Sequence, residues 1–318
     1  NIELGQSRQR FEASVDTSSP ALWIPSSKCY TSLTCFKKNI YKRTADYEPD
    51  NDESPLEVNI GYGDPGNLVT GLVGYETLRV GTSRTLQVYG THFMEATSIP
   101  AGDFYYRPAD GVFGLGFTSE HLKIAPPFYT MLDRGLLDYS IFSYSIAGKH
   151  GFLYLGGFDE GRIDVRSLQY HSLTDDPKRW IINVQSVSLM EFNNTLTELC
   201  KSWCNVMIDT ATAFIAAPAD ALRAIASSNS MQYKGEMMQI PCENIKNLVQ
   251  IKIYIDRQMT ILNGNDYVIQ VGSECALTFV ESPDGYWIFG NTFMNKWYTI
   301  FDVGSRMIGF AEPLLSQA

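Results

Sequence analysis

One short pattern occurs twice in the chain, once near the start and once in the second half. The copies are VDTSSPALWIP at 15–25 and IDTATAFIAAP at 208–218. Both have an apolar residue before Asp-Thr, then a small residue, a hydroxyl residue, and a proline nine positions after the aspartate. Each is followed later by two apolar residues and a glycine, at 112–114 and 288–290. Such a repeat predicts two halves of similar plan, which we place at 1–160 and 161–318.

Alternating apolar residues dominate the rest of the sequence and predict strands. The alternation is clearest in three runs: Phe11, Ala13 and Val15; Leu56, Val58, Ile60 and Tyr62; Ile251, Ile253 and Ile255. Each run places its apolar side chains on one face of a strand. Helical patterns are few and short, at 126–137 and 217–228. The pattern therefore predicts a mainly β protein with two lobes.

The repeated aspartates indicate acid–base catalysis by a pair of carboxyl groups. If a pseudo-twofold axis relates the two lobes, Asp16 and Asp209 come face to face at that axis. Two carboxylates that share a site hold one proton between them, because both cannot ionise cheaply. Such a pair activates water for attack on an amide carbonyl and protonates the developing oxyanion. A lone Asp-Thr-Ser is typical of a turn or a helix cap, but the duplicated context favours a catalytic pair.

Charge and hydropathy exclude several classes of partner. The formal net charge is −10, from 25 Lys and Arg against 35 Asp and Glu. Nucleic acids and anionic membranes both require a positive footprint, so neither is expected as a partner. No apolar run is long enough to cross a membrane, so we expect no membrane insertion. The first residues are not typical of a signal peptide, so we expect that any targeting segment has been removed or was never included.

The six cysteines fall into close pairs along the sequence: Cys29 with Cys35, Cys200 with Cys204, and Cys242 with Cys275. Fifteen disulfide connectivities are possible for six cysteines, so spacing alone leaves the pairing open. We expect no metal, because the four histidines lie far from the cysteine pairs along the chain. Asn193-Asn194-Thr195 is a glycosylation acceptor pattern. Disulfides and glycosylation both favour a secreted, secretory-pathway or lysosome-like location.

Several motifs together resemble the pepsin family of aspartic proteases over essentially the whole chain. They are Asp16-Thr17, Leu22-Trp23-Ile24-Pro25, Asp209-Thr210, the two apolar-apolar-glycine elements and the closing NKWYTIFDVGSRMIGFAEP. The resemblance implies a bilobal β fold with a cleft for an extended peptide, and disulfides between the neighbouring cysteines. It also implies that Asp16 and Asp209 form the catalytic dyad without any cofactor. Thr17 and Thr210 would then exchange hydrogen bonds beneath the dyad.

The family's flap, a β-hairpin that closes over substrate, is expected at 60–74. Tyr62 stands at the tyrosine that pairs with a tryptophan, here Trp23. Gly63 and Asp64 belong to the turn-rich flap tip, which is longer than the family's usual one. On the same side of the cleft, the expected lining comes from three aromatic residues: Phe104, Tyr105 and Tyr106. An ordinary hairpin and plain core packing are the alternatives for these two segments.

The sequence departs from the family beside both aspartates. Active members have glycine after Asp-Thr, and here Ser18 and Ala211 replace it. That glycine's N–H bonds the facing carboxylates, and its missing Cβ leaves room for water, so we expect both side chains to intrude or to force the loops apart. Ser19 and Thr212 remain, and their hydroxyls are expected to bond the outer carboxylate oxygens. Misplacement near 1 Å can cost about a hundredfold in rate.

Three further departures are milder. Pro20 and Ala213 replace a small or hydroxyl residue, and Asn291 stands where the family commonly has Gly-Asp. The sequence as given begins at a strand expected in the first lobe. We therefore expect the family's interlobe strand either to have been trimmed or to come from elsewhere.

Two functional hypotheses remain. The first, which the paired loss of glycine favours, is a pseudoprotease that keeps a peptide-binding cleft but hydrolyses slowly or not at all. The second is an active acid endopeptidase that tolerates Ser18 and Ala211. Retention of both aspartates, both threonines and both neighbouring hydroxyl residues favours the second.

Overall fold

The structure is a computed structural model that describes residues 1–51, 55–62, 67–81, 85–118, 124–147, 150–176, 178–191, 195–282 and 285–314. The chain divides into two compact units, unit 1 at Asn1–Leu137 and unit 2 at Asp138–Ala318. Each unit is mainly β structure, as the sequence predicts. The lobe boundary after residue 160 stays a prediction.

Unit 1 is built on one large sheet. Its strands are β1 (Ile2–Leu4), β2 (Gln9–Phe11), β3 (Ala13–Asp16), β4 (Leu22–Pro25), β5 (Glu48–Pro49), β6 (Glu57–Gly61), β7 (Leu68–Val80), β8 (Leu86–Ser98) and β9 (Gly111–Gly114). Its helices are α1 (Asp103–Tyr106) and α2 (Pro127–Asp133), with a 3-10 turn at Cys35–Lys37. The strand order is β2-β1-β7-β8-β4-β9-β3, and β5 and β6 both pair with β7.

Unit 2 has four smaller sheets within its described residues. Its strands are β10 (Ile141–Ala147), β11 (His150–Leu155), β12 (Gln169–Ser172), β13 (Ile181–Val184), β14 (Ser186–Met190), β15 (Leu196–Cys200), β16 (Cys204–Ile208), β17 (Ile215–Ala217), β18 (Gln239–Ile240), β19 (Gln250–Ile255), β20 (Gln258–Leu262), β21 (Val268–Val271), β22 (Glu274–Leu277), β23 (Phe279–Glu281), β24 (Trp287–Phe289), β25 (Tyr298–Asp302) and β26 (Met307–Ala311). Its helices are α3 (Ala219–Ser228) and α4 (Asn291–Met294), and its 3-10 turns lie at Glu160–Arg162, Val165–Ser167, Cys242–Asn247 and Gly264–Asp266.

Those four sheets have the orders β11-β10-β25-β26-β12, β13-β16-β24-β17-β23, β15-β14-β19-β20 and β18-β22-β21. The sheet that contains β16, β24 and β17 supports the second aspartate loop. In the sheet that contains β10 and β25, the buried Phe142 and Phe301 rings stack at 4.7 Å, and both lie edge-on to the buried Trp180.

The repeated sequence pattern corresponds to a repeated strand arrangement. In unit 1, β3 runs parallel to β9, and β4 runs antiparallel to the same strand. In unit 2, β16 runs parallel to β24, and β17 runs antiparallel to it. Each Asp-Thr loop therefore connects two strands that share one central neighbour. The repeat predicts this likeness between the halves, and the strand pairing confirms it.

The glycine that ends each apolar-apolar-glycine element is required by close backbone approach. A Cβ on Gly114 would lie 2.5 Å from the backbone nitrogen of Ala21 and from the carbonyl oxygen of Ser19. A Cβ on Gly290 would lie 2.1 Å from the carbonyl oxygen of Thr212. Both distances are shorter than any van der Waals contact, so only glycine lets the loop lie against its neighbouring strand.

Most of the predicted elements are present, with two differences. Val58 and Ile60 are buried in β6, and Ile251, Ile253 and Ile255 are buried in β19, as alternation predicts. The run from Phe11 to Val15 is not one strand, because it breaks at Glu12, whose carbonyl accepts from the N–H groups of Asp110 and Gly111.

The helix predicted at 126–137 is also shorter than expected. It ends at Asp133, just before Gly135, which has a φ of 65°. A residue in this left-handed conformation terminates a helix. The helix predicted at 217–228 is present as α3 and begins after Pro218.

Candidate active site

Asp16 ends β3 and lies in a loop that donates several hydrogen bonds to one of its oxygens. Oδ1 accepts from the N–H of Ser18 at 2.8 Å, from the Ser18 hydroxyl at 2.7 Å and from the N–H of Ser19 at 3.0 Å. The carboxylate is buried, and Oδ2 has no hydrogen-bond partner among the residues that the structure describes. One oxygen of this carboxylate therefore accepts three hydrogen bonds, and the other accepts none from the described residues.

The first loop differs from the expectation about its hydroxyl groups. The sequence predicts that the Ser19 hydroxyl bonds Asp16, but Ser19 Oγ lies 3.4 Å from the Tyr62 hydroxyl instead. The hydroxyl that reaches Asp16 is that of Ser18, an exposed residue at the position of the family's glycine. The prediction for Ser19 is wrong because the Ser18 side chain turns back to Oδ1.

Asp209 directly follows β16 and occupies the equivalent loop of unit 2. Its Oδ1 accepts from the N–H of Ala211 at 2.9 Å, and its Oδ2 accepts from the Thr212 hydroxyl at 2.6 Å. The prediction for the Thr212 hydroxyl is therefore confirmed. Ala211 is half-buried, and its N–H bond to the carboxylate corresponds to the bond from Ser18 in the first loop. A main-chain donor is thus kept on both aspartates despite the missing glycines.

Asn291 fastens the Asp209 loop from the N-terminus of α4. Its side-chain Nδ2 donates to the carbonyl of Thr210 at 3.2 Å, and its Oδ1 accepts from the Tyr144 hydroxyl at 3.3 Å. Its backbone N–H donates to the carbonyl of Thr212 at 2.9 Å. An amide is suited to this position because it supplies one donor and one acceptor at the same time.

Three aromatic side chains form a cluster beside the Asp16 loop. Trp23 Nε1 donates to the Tyr62 hydroxyl at 2.6 Å, and this bond confirms the predicted pairing. The Phe104 ring lies edge-on to both, with centroids 5.4 Å from Trp23 and 4.9 Å from Tyr62. Trp23 and Phe104 are buried. Gly63 and Asp64 of the predicted flap lie outside the described residues.

Comparison with known proteins decides which family has this arrangement. A family model described as eukaryotic aspartyl protease matches residues 1–313. The chain belongs to the eukaryotic aspartyl protease family. The predicted pepsin-like fold and family are confirmed by this match.

Individual aspartyl proteases are similar over nearly the whole chain. Pepsin A of Sus scrofa is 30% identical over 98% of this chain and 80% of its own length. Renin-2 of Mus musculus is 30% identical over 98% of this chain and 78% of its own length. Vacuolar protease A of Aspergillus fumigatus is 29% identical, with 98% of this chain and 77% of its own length covered.

All six cysteines of this aspartyl protease family member form disulfides. The bonds join Cys29 to Cys35, Cys200 to Cys204 and Cys242 to Cys275. The nearest-neighbour pairing that the family resemblance implies is therefore confirmed. No group of three or more metal-ligating side chains lies together among the described residues, and no described helix is long and apolar enough to span a membrane.

Burial and neighbouring charges shift the pKa values of Asp16 and of tyrosines beside the two aspartate loops. Burial raises the pKa of Asp16 above its ordinary value, while donation from Ser18 and Ser19 and the charge of Arg107 oppose the rise. Burial, with the charge of Asp16, also raises the pKa of Tyr62. In unit 2, burial and the charge of Asp209 raise the pKa of Tyr144. Both tyrosines therefore stay protonated and remain hydrogen-bond donors in acid and at neutral pH.

Two residues of this site escape the sequence analysis. Arg107 acts on Asp16 through its charge, and Tyr144 donates to Asn291. Neither lies in the repeated motif, and neither is near its aspartate in the sequence. Of the other predicted residues, Thr17 and Thr210 are buried, Tyr105 is half-buried, and Tyr106 is 81% exposed. Exchange of hydrogen bonds between the two threonines stays a prediction, and Asn193 lies outside the described residues.

Proposed function

We propose that this chain is a peptide-binding aspartyl protease homologue in which hydrolysis is strongly slowed or lost. In this proposal Asp16 and Asp209 occupy the dyad positions, and the aromatic cluster of Trp23, Tyr62 and Phe104 forms one wall of the peptide site. The observation that carries the proposal is the position of the Ser18 hydroxyl, 2.7 Å from Oδ1 of Asp16.

This contact changes which oxygen of Asp16 takes a proton. A carboxylate oxygen has about two lone-pair sites, and Oδ1 already accepts from three donors. Oδ2 is buried and has no partner among the described residues, so a proton on Asp16 is most stable there. The proton is then held by one oxygen rather than shared within a dyad.

Slow hydrolysis follows from the proton movements that the reaction requires. Water oxygen must bond to the carbonyl carbon while one carboxylate takes the water proton and the other carboxyl protonates the carbonyl oxygen. Breakdown then breaks the C–N bond and returns a proton to the leaving nitrogen. Because Oδ1 is saturated, Asp16 can take the water proton only on Oδ2. The first step is therefore slowed whenever the attacking water does not lie beside that oxygen, even when peptide is bound.

Peptide binding does not depend on those proton movements. Trp23 fixes the Tyr62 hydroxyl by a 2.6 Å hydrogen bond, and Phe104 supports both rings. Aromatic walls with a few placed polar groups are typical of ligand sites. The proposal therefore keeps the binding function and removes most of the chemistry.

The second candidate function is an active acid endopeptidase. The specific observation in its favour is that both main-chain N–H bonds to the aspartates persist, at 2.8 Å from Ser18 and 2.9 Å from Ala211. The Thr212 hydroxyl also donates to Asp209 at 2.6 Å. In this alternative the Ser18 hydroxyl turns away from Oδ1 when water and substrate bind.

Restoration of the glycines tests the proposal. Unfolded haemoglobin and a peptide library are digested between about pH 3 and about pH 7. The proteins compared are the wild type, the Ser18→Gly/Ala211→Gly variant and the Asp16→Asn/Asp209→Asn variant. We expect little cleavage by the wild type, at least about a hundredfold higher kcat/KM in the glycine variant, and none in the asparagine variant.

Each result of this digestion decides between the candidates. Cleavage by the wild type that the asparagine variant lacks, and that glycine does not increase, would establish the active endopeptidase. If the glycine variant binds peptide but stays inactive, Ser18 and Ala211 are not the cause of the slow hydrolysis. Peptide affinity, measured by calorimetry for each variant, separates loss of binding from loss of chemistry.

The proposed location is the secretory pathway, the extracellular space or a lysosome-like compartment. Three disulfides support it, because such bonds persist where the surroundings are oxidising. One similar protein bears the name vacuolar protease A. We also propose Asn193 as a glycan acceptor. A shift in electrophoretic mobility after glycosidase treatment, absent in Asn193→Gln, tests that assignment.

A further inference from the structure

Two segments of unit 1 are fastened together outside the Asp16 loop. The first is the loop 29–38, in which the Cys29–Cys35 disulfide closes residues 29–35, and the second is the turn 99–107 that contains α1. The Thr34 hydroxyl donates to the carbonyl of Pro100 at 2.8 Å, and the Lys38 ammonium donates to the carbonyl of Arg107. The Lys37 ammonium lies 3.6 Å from the centroid of the Tyr105 ring. The two segments therefore present one continuous surface.

Several large apolar side chains of this surface are exposed to solvent and are not packed in the core. The exposed fractions are 73% for Tyr30, 69% for Leu33, 73% for Phe36 and 81% for Tyr106. Single exposed apolar residues are ordinary, but several on adjoining segments mark an interaction surface. The Cys29–Cys35 disulfide and the hydrogen bonds to 99–107 hold the backbone in place. Binding there would thus cost little ordering of the loop.

The charge of the same surface is opposite to that of the whole chain. Residues 17–45 contain Lys28, Lys37, Lys38, Lys42 and Arg43 but no aspartate or glutamate, whereas the net charge of the chain is −10. Buried Glu95 pairs with two of these five cations, Lys28 and Arg43. The remaining cations are Lys37, Lys38 and Lys42. With Arg107 of the adjoining turn they outnumber two acids, the exposed Asp103 at the start of α1 and the buried Asp110. Asp110 accepts hydrogen bonds from Asn39 and acts on Lys38 through its charge.

We infer that this aromatic–basic surface, composed of Tyr30, Leu33, Phe36, Lys37, Lys38 and Tyr106, binds an acidic segment of a protein partner that carries aromatic or aliphatic side chains. Tyrosine, phenylalanine and arginine are enriched in protein interfaces. Acidic groups on the partner complement the lysines and speed association. An anionic membrane is disfavoured because the chain's overall charge of −10 repels it.

The surface is separate from the proposed dyad function. Its residues make no described contact with Asp16, so loss of peptide hydrolysis leaves it intact. The Phe104 ring contacts Tyr62, whereas the Tyr105 ring contacts Tyr106 of the aromatic–basic surface.

The test selects ligands from a random peptide library displayed on phage. The full chain with Asp16→Asn/Asp209→Asn is the bait, so that no peptide is cut. Selected peptides are labelled, and their affinities are measured by fluorescence anisotropy on Tyr30→Ser/Phe36→Ser and on Lys37→Glu. Tyr89→Ser and Lys234→Glu are matched controls, because both residues are exposed and lie outside this surface.

We expect selected peptides that combine Asp or Glu with aromatic or aliphatic residues. Their affinity should fall about tenfold or more in the two surface variants, fall with added salt, and stay unchanged in the controls. Peptides that bind at the aromatic cluster beside Asp16 would keep their affinity in every variant. The inference is overturned if none of the selected peptides loses affinity in the two surface variants, if those that do are basic, or if nothing is enriched. Vesicles of phosphatidylcholine and phosphatidylserine form a second arm. Vesicle binding that the same two variants lose would assign a membrane surface instead of a protein partner.

Discussion

Ser18 donates both its backbone N–H and its hydroxyl to Oδ1 of Asp16, at 2.8 and 2.7 Å. Ala211, at the equivalent place in unit 2, donates its N–H to Asp209 at 2.9 Å and has no hydroxyl. The two loops therefore differ at the one position where the family's active members have glycine in both. The Ser18 hydroxyl donor to Asp16 therefore has no equivalent from Ala211 at Asp209.

Removal of the Ser18 hydroxyl should raise the pKa of Asp16 further. Burial already raises it, and the Ser18 hydroxyl is the largest of the effects that oppose the rise. In Ser18→Ala the ionised carboxylate loses a donor, so protonation becomes easier. Carbon-13 NMR of aspartate-labelled protein, titrated with pH, measures this change. Ser27→Ala, at an exposed serine, is the control, and an unmoved Asp16 titration would contradict the assignment.

A second prediction concerns Glu76, which is fully buried in β7. Its Oε2 accepts from Tyr41 and Thr44, and its Oε1 accepts from the N–H of Thr77 at 2.7 Å. Burial raises its pKa in spite of these bonds. Since the folded pKa exceeds the unfolded one, the stabilisation is complete below the unfolded pKa of about 4.3 and is lost as pH rises through the folded pKa.

Glu76→Gln cannot ionise, so it should not show this loss. We expect the free energy of unfolding of the wild type, relative to Glu76→Gln, to decrease between about pH 4 and about pH 7. Urea unfolding at both pH values measures the difference. Glu48→Gln, at an exposed position, should show no such change. A difference between wild type and Glu76→Gln that stays constant with pH would rule out the buried-acid explanation.

Asn291→Asp should destabilise unit 2 in a pH-dependent manner. Nδ2 donates to the carbonyl of Thr210 at 3.2 Å, and an aspartate would place an oxygen there instead. Loss of this bond and repulsion between the two oxygens should cost about 1–3 kcal/mol in free energy of unfolding at neutral pH. The cost should shrink in acid, where a protonated carboxyl can donate.

Urea unfolding at about pH 7 and about pH 3 measures that cost. Asn295→Asp serves as the control, since Asn295 is exposed at the end of the same short helix. Equal effects of the two substitutions would show that the Thr210 contact contributes nothing.

The sequence could predict the backbone arrangement of the site but not the direction of its side chains. The repeat around Asp16 and Asp209 predicts matching strand arrangements, because such loops need an aspartate, a close glycine and apolar strands in fixed order. Gly114 and Gly290 have that role for steric reasons alone. Family spacing likewise identifies the disulfide partners. These features depend on local sequence or on a whole motif.

Side-chain direction is not fixed in the same way. Ser18 and Ser19 are adjacent, and both have hydroxyls that reach a carboxylate in some rotamer. The Ser18 hydroxyl lies 2.7 Å from Oδ1 of Asp16, whereas the Ser19 hydroxyl lies 3.4 Å from the Tyr62 hydroxyl. The influence of Arg107 on Asp16 and the bond from Tyr144 to Asn291 depend on tertiary packing between distant segments. No local pattern in the sequence encodes them.

The stability lost when a disulfide is removed should increase with the length of chain that the bond closes. Cys242 and Cys275 are 33 residues apart, whereas Cys200 and Cys204 are 4 apart. Loop-closure entropy predicts costs of about 4 and about 2 kcal/mol when each pair is changed to serine. Thermal and urea unfolding of the two double variants measure both costs. A larger loss for the short loop would show that local packing of Cys200, rather than chain entropy, dominates.

The hydrogen bond between Trp23 and Tyr62 should couple the two residues energetically. Tyr62→Phe leaves the buried Trp23 Nε1 without its acceptor, whereas Trp23→Phe removes the donor and much of the buried ring. A double-mutant cycle on the free energy of unfolding should therefore give a coupling of about 1 kcal/mol. Phe104 contacts both rings, so the same cycle in a Phe104→Leu background tests whether packing alone supplies the coupling. If coupling is absent in the wild-type background, the hydrogen bond does not hold Tyr62. If it persists in the Phe104→Leu background, the bond itself positions the tyrosine beside the Asp16 loop.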